Sequence, residues 1–228
     1  MKRIMLALLA SLTIAAAPAE RRYTVTDFDR VRIDGPFEVE LVSGRAAAAA
    51  AEAANAAALD PVLVDVEART LRIRMRPVAL GSDRRSNRPV RLRLATHDLR
   101  SLSVNGAARV RVDGLAAQKV DLLLSGSGAI DARGVEADVL NLGLLGSGRI
   151  AVAGSAKTLN ATVQGSGDLQ ATGLAVDQAE LNAENAGEVA LQVRTLATVR
   201  ANGTGGVTIT GPAACEIAGS GSVSCESD

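Results

Sequence analysis

Leu122-Leu123-Leu124-Ser125-Gly126-Ser127-Gly128-Ala129-Ile130-Asp131-Ala132-Arg133-Gly134 is followed, 20 residues on, by Leu142-Gly143-Leu144-Leu145-Gly146-Ser147-Gly148-Arg149-Ile150-Ala151-Val152-Ala153-Gly154. Each copy reads as an apolar strand, a small turn, a second apolar strand and a closing glycine. The turn recurs at Gly106-Ala107-Ala108, Gly126-Ser127-Gly128, Gly146-Ser147-Gly148, Gly165-Ser166-Gly167, Gly203-Thr204-Gly205 and Gly219-Ser220-Gly221. The degenerate Asn185-Ala186-Gly187 fills the one long gap. The leading residues are 20, 20, 19, 20, 18 and 16 apart. A fixed period of this length means a solenoid, whose coils bury apolar faces only against one another.

The flanks repeat with the turns. Before each turn stand Leu102/Val104, Leu122/Leu124, Leu142/Leu144, Ala161/Val163, Leu181/Ala183 and Val199/Ala201. After it stand Val110/Val112, Ile130/Ala132, Ile150/Val152, Leu169/Ala171, Val189/Leu191 and Val207/Ile209. A second glycine column follows at Gly114, Gly134, Gly154, Gly173 and Gly211, then a shorter apolar contact at Leu115, Val135, Leu174 and Leu196. Three short sides with glycine corners predict an all-β parallel β-helix, with repeat coils over about 90–225. Like residues then stack about 4.8 Å apart. Corners that need positive φ or close backbone approach explain the glycines. Ser127, Ser147, Ser166, Thr204 and Ser220 would form a hydroxyl ladder along one corner. A doubly wound α/β fold is excluded, because no helical segments separate the strands. A β-sandwich is the other all-β arrangement, but its turns need not recur with matching flanks.

Upstream the pattern is less regular. Residues 20–41 read as extended, with Gly35-Pro36 as a turn. Val62–Val66, Leu71–Met75 and Val90–Leu94 alternate as strands, and 80–89 reads as a polar, basic loop. Residues 45–59 are dominated by alanine, the best helix former, and Pro61 would stop a helix there. This segment predicts a short helix capping the open N-terminal end of the solenoid.

Lys2 and Arg3 precede an apolar stretch too short to span a bilayer, and Ala17-Pro18-Ala19 is a small-x-small site. Residues 1–19 therefore read as a secretory signal peptide, leaving 20–228 as a single domain with no transmembrane segment. Loss of Lys2 and Arg3 would take the net charge from 0 to −2. So neutral a chain has no strong pull toward nucleic acid. With one Tyr, two Phe and no Trp, recognition of sugars or bases by stacking is disfavoured.

Cys215 and Cys225 bracket the last Gly-Ser-Gly turn, and an exported chain favours a disulfide between them. A metal pair or reactive thiol lacks partners, since His97 is the only histidine. His97, in Thr96-His97-Asp98, reads as a solvated loop residue. No nucleophile elbow or phosphate loop occurs. Calcium-binding β-roll repeats have a nine-residue period with turn aspartates, whereas this period is about twice as long and only Asp168 directly follows a Gly-Ser-Gly turn. Asp113, Asp121, Asp131, Asp138 and Glu180 lie near corners of different coils, with no two of them placed face to face. Arg109 and Arg149 align in phase, with Ala129 between them. No catalytic, cofactor or metal residue is expected.

The opening Phe28-Asp29-Arg30-Val31-Arg32-Ile33, Gly35 and Phe37-Glu38-Val39 are followed by Thr70-Leu71-Arg72-Ile73-Arg74. Leu102-Ser103-Val104-Asn105-Gly106 and the Gly-Ser-Gly turns come next. In these features, over about residues 26–211, the chain resembles the putative auto-transporter adhesin head domain family, also called the GIN domain, of exported bacterial proteins. The resemblance implies a right-handed parallel β-helix and a cell-envelope location, and carries over no functional residues.

The expected function is that of an exported, non-enzymatic envelope domain, in the periplasm or at the surface, acting by adhesion or scaffolding on an envelope protein or glycan. End-to-end association through the terminal coil is conceivable unless the cysteine loop blocks it. The alternative is a carbohydrate-binding or carbohydrate-cleaving protein. It predicts a groove of aligned acidic and basic side chains on one β-face.

Overall fold

The computed structural model describes residues 18–76 and 89–226. The expected leader (1–19) lies outside the described residues up to residue 17, and the expected basic loop (80–89) up to residue 88. The strands, in chain order, are β1 (Ala19–Tyr23), β2 (Arg30–Asp34), β3 (Phe37–Ser43), β4 (Ala48–Ala53), β5 (Val62–Glu67), β6 (Thr70–Met75), β7 (Val90–Thr96), β8 (Ser101–Gly106) and β9 (Arg109–Asp113). They continue as β10 (Ala116–Gly126), β11 (Ala129–Gly146), β12 (Arg149–Gly165), β13 (Asp168–Asn185), β14 (Val189–Asn202), β15 (Gly206–Thr210), β16 (Ala214–Gly219) and β17 (Ser222–Glu226). The long strands β11 to β14 each run round most of one coil, and their pairing is parallel throughout.

The result is a β-solenoid. Its first face carries three inward columns. One runs Val120, Leu140, Leu159, Ala179, Ala197 and Cys215. A second runs Leu102, Leu122, Leu142, Ala161, Leu181, Val199 and Ile217, and the third holds Val104, Leu124, Leu144, Val163, Ala183 and Ala201. The second face, after the Gly-Ser-Gly corner, stacks Val110, Ile130, Ile150, Leu169, Val189, Val207 and Val223. Its partner column ends Leu191, Ile209, Cys225. A short third side adds Leu115, Val135 and Leu174, whereas Leu196, expected in the same column, pairs with Gln178 and is only half-buried. From Val104 to Val207 these columns are almost wholly buried. Each large apolar side chain so buried contributes roughly 1.5–3 kcal/mol.

The corners are held by main chain. The Ser127, Ser147 and Ser166 amides donate to Gly106, Gly126 and Gly146 oxygens at 3.0, 3.0 and 2.9 Å. The serine hydroxyls point to solvent, and among the described residues no hydroxyl-to-hydroxyl bond links them, so the expected hydroxyl ladder is replaced by an amide ladder. Gly126 has φ +122°, and a Cβ there would lie 2.6 Å from Gly106 O. Gly128 lacks a positive φ but its Cβ would lie 2.4 Å from Ala108 O, so close approach alone requires glycine. The same crowding by the preceding coil's backbone recurs at Gly146, Gly148, Gly165, Gly167, Gly203 and Gly205. Gly106 meets nothing nearer than 3.8 Å, and only its φ of +101° requires glycine.

The expected capping helix is corrected. The alanine run forms β4, antiparallel to both β7 and β1. Ala49, Ala51 and Ala53 are buried on one side of it, an alternation that only a strand produces. A single 3-10 turn, Ala56–Leu59, follows, with Asn55 accepting from the Ala58 amide at 3.0 Å. Alanine's helix preference is below 1 kcal/mol per residue against ordinary residues, and pairing on both edges outweighs it. The segment does sit at the N-terminal end, where Leu59 is fully buried.

The stacking order there departs from the chain order. β2 lies between β6 and β8, and β3 between β7 and β9. The chain thus starts one coil inside the end, adds an outer coil with β6 and β7, and crosses back to β8. Asp29 sits at the crossing. Its amide donates to Arg69 O (3.0 Å), its carbonyl accepts from the Arg100 amide (2.8 Å), and its buried carboxylate takes Arg69 Nε at 3.0 Å.

At the far end Cys215 and Cys225 form a disulfide, Cα–Cα 6.7 Å. It joins an inward column of the first face to one of the second, closing the last coil across the lumen. Ile217, in an inward column with no coil beyond it, is 51% exposed.

Candidate binding surface on the second face

Outward positions of the second face alternate acid and base along the solenoid axis. One row reads Glu52, Arg91, Glu38, Arg109, Ala129, Arg149, Asp168. The next reads Arg93, Glu40, Arg111, Asp131, Ala151, Gln170. In-register stacking brings these residues together, although 53 positions separate the direct neighbours Glu38 and Arg91 in sequence. Between the two rows lies a shallow groove of about 510 Å³, floored by Val39, Leu92 and Val110 backbone and walled by the charged side chains.

Most of these charges are committed. Arg91 Nε donates to Glu38 Oε2 at 3.0 Å, and this contact pushes the guanidinium's already high proton affinity higher. Arg93 pairs with Glu52. Asp131 takes Arg133 at 2.8 Å and Arg111 at 3.9 Å. Asp168 accepts the Glu188 amide at 3.1 Å and Arg149 at 3.0 Å. Those bonds, the amide first, hold its carboxyl below the ordinary aspartate range. Arg109 is exposed and has no ion-pair partner among the described residues.

The carboxylates singled out from the sequence are dispersed. Asp121 and Glu180 share an outward row of the first face, but Asn141 and Asn160 separate them. Asn141 donates to Asp121 at 2.6 Å and Asn160 to Asn141 at 2.9 Å, so the row is an amide ladder. Three strand spacings put Asp121 and Glu180 roughly 14 Å apart, beyond the ~5–9.5 Å that glycoside hydrolysis needs. Asp138 pairs with Lys157 at 2.7 Å on the corner entering the first face, and Asp113 stands opposite Arg133. His97 lies in a loop, 3.4 Å from Asp27, both exposed. The turn glycines from Gly106 to Gly205 line corners, not the groove. Sequence reasoning missed the role of Glu38, Glu40, Arg91 and Arg93. Their alternation in Phe37–Leu41 and Val90–Leu94 was the available signal, but their adjacency depends on the inserted coil order.

The class of molecule is therefore a β-solenoid with a charge-laddered second face. The family model for "putative auto-transporter adhesin, head GIN domain" matches residues 27–213, and the chain belongs to this family. Among solved structures it is similar to a "putative adhesin" from Bacteroides fragilis, with a TM-score of 0.82 at 16% identity over 93% of this chain and 97% of the other. A "putative lipid binding protein" from Parabacteroides distasonis gives 0.72 at 19% identity, covering 92% and 96%. A "putative adhesin" from the same species gives 0.67 at 20%, covering 92% and 97%. At these identities the likeness concerns the fold. No curated protein matches.

Proposed function

We propose that the chain is an exported, non-enzymatic cell-envelope domain that binds a partner polymer or protein with its outer faces, in an adhesin-like or scaffolding role. The observation that carries this reading is the second face: an open groove of ion-paired side chains on rigid strands. The groove's acids are taken up by arginines, Glu38 by Arg91 and Asp131 by Arg133. Membership of an adhesin-named family supports the export half of the reading, as does the leader-like segment at 1–19.

A second reading, carbohydrate binding, is favoured by one specific observation. The aligned acidic and basic side chains that it expected on one β-face are present in Arg91, Glu38, Arg109 and their neighbours.

An array of envelope glycans and cell-wall polymers probed with the purified chain, with products monitored on every hit, tests both. Binding without product formation is expected. Product formation would overturn the non-enzymatic reading. Capture only of envelope proteins would retain the scaffold role and remove the carbohydrate one. N-terminal sequencing of the protein from fractionated cells is expected to begin at Glu20; a cytoplasmic, uncleaved chain would contradict export.

A further inference from the structure

The first row of the charge ladder has one gap. Along its first row each acid stands beside a base, Glu52, Arg91, Glu38, Arg109, until Ala129, where an acid is due. Arg149 and Asp168 then resume the alternation. Ala129 is therefore flanked in register by Arg109 and Arg149, about 9–10 Å apart at two strand spacings. In the neighbouring row Asp131, two residues on from Ala129 and already paired with Arg133 and Arg111, stands in register with Ala151. The small side chain of Ala129 thus leaves a notch at the end of the groove that it lines. One flanking guanidinium has no ion-pair partner among the described residues, and the other donates to Asp168 Oδ2 through a single nitrogen at 3.0 Å.

We propose that this notch is a subsite for a ligand carboxylate, supplied by a glycan in which uronate residues alternate with neutral sugars. The proposal rests on the carbohydrate-binding reading above and gives it a place and a chemistry. A carboxylate seated over Ala129 restores the alternation and can accept from both guanidiniums. Arginine's planar fork suits that geometry. The rest of the groove sets the spacing of charge. Glu38, Glu40 and Asp131 line it beside the arginines. A ligand with acid on every unit, such as an acidic peptide run or a densely sulfated chain, would set like charges against them. Hydroxyl groups, by contrast, can donate to those carboxylates. The scarcity of aromatic rings agrees with recognition by ion pairing instead of stacking.

The test uses the full chain and three probes. These are an oligosaccharide alternating glucuronate with N-acetylhexosamine, the same oligosaccharide with carboxyls reduced to hydroxymethyl groups, and an oligoglutamate. Affinity is measured by calorimetry at low and at physiological salt. The alternating probe is expected to bind, more weakly as salt rises. Carboxyl reduction is expected to cost at least about tenfold, in line with a charge-assisted contact. Oligoglutamate should bind more weakly than the alternating probe.

Ala129→Glu places a carboxylate in the gap and is expected to abolish binding while keeping or raising the melting temperature, which separates occlusion from misfolding. Ala129→Ser is expected to bind normally, Arg109→Gln to lose about tenfold, and Arg200→Gln, on the first face, to lose nothing. Equal affinity for the reduced probe, tighter binding of oligoglutamate, or full binding by Ala129→Glu would each overturn the subsite. If the alternating probe fails while the chain binds another glycan on the array, the subsite falls and the carbohydrate reading stands. If no glycan binds, both fall.

Discussion

The coils from β8 onward and the segment before them are built from the same kind of alternating strand, yet they obey different rules. In the repeat half, sequence order is stacking order. Every coil lies on its predecessor, and the corners are set by glycines whose backbone nearly touches the coil below. In the N-terminal half, order in sequence and order in space part company, because β2 and β3 are each enclosed by later strands on both sides. The repeat half therefore depends on small residues at fixed intervals, and the N-terminal half on long-range pairing and a few specific contacts. The charge ladder begins in the second region and ends in the first, so the candidate binding surface needs both.

The comparison is tested most severely in the alanine strand. Ala51 is completely buried, and Ala50 beside it is partly exposed on the opposite side of β4. Ala51→Lys should cost about 3–5 kcal/mol or prevent folding, since it buries an unpaired charge. Ala50→Lys should stay within about 1 kcal/mol. Equal costs, read from chemical denaturation, would point to a helix. In the repeat half, Gly128→Ala should cost roughly 2–4 kcal/mol, because the new Cβ would overlap the backbone of the coil below. Gly206→Ala, where no heavy atom lies within 4 Å, should be nearly neutral. A mild Gly128→Ala would mean that coils are spaced more loosely than described.

Opening the terminal disulfide should have a smaller, local effect. Closing a loop with a separation of 10 residues is worth about 2–3 kcal/mol. In a solenoid that loss is confined to the neighbouring coil. Cys225→Ser is expected to speed hydrogen exchange in β16 and β17 and leave β10 to β12 unchanged. Acceleration throughout would show a single cooperative unit.

The smallest expected effect is on pH dependence. Asp168 has a lowered folded pKa, from the Glu188 amide and then Arg149. Its contribution is complete above the ordinary aspartate value of about 3.9 and is lost as pH falls through the lower folded value. Asp168→Asn should therefore flatten the acid limb of the melting-temperature profile below about pH 4. An unchanged acid limb would remove Asp168 from the account.

Legibility followed the same division. Turn spacing and flanking apolar pairs located the coils from Leu102 to Ile209, because in-register stacking demands the same residue at the same place. The inward column from Val120 to Cys215 escaped notice. Its members follow a corner where alternation slips, between Ala117 and Val120. The alanine run misled because propensity was its only local signal, whereas pairing with β1 and β7 decides its conformation. Phe28-Asp29-Arg30 was visible as a family-like motif, but its work at the crossover appears only when Arg69 and Arg100 are brought to Asp29. For the binding surface, Arg109, Ala129 and Arg149 were already aligned by the period. Glu38 and Arg91, by contrast, extend the alternation only through the inserted coil order.

The most direct test of a solenoid that binds through its second face is arginine-selective labelling of the full chain, with and without an envelope polymer captured from the array. Labelled peptides and polymer products are read by mass spectrometry from the same samples. The account predicts protection of Arg109 and Arg149, unchanged labelling of Arg194 and Arg200 on other parts of the surface, and intact polymer. Protection at Arg194 or Arg200 instead, or a cleaved polymer, would contradict it.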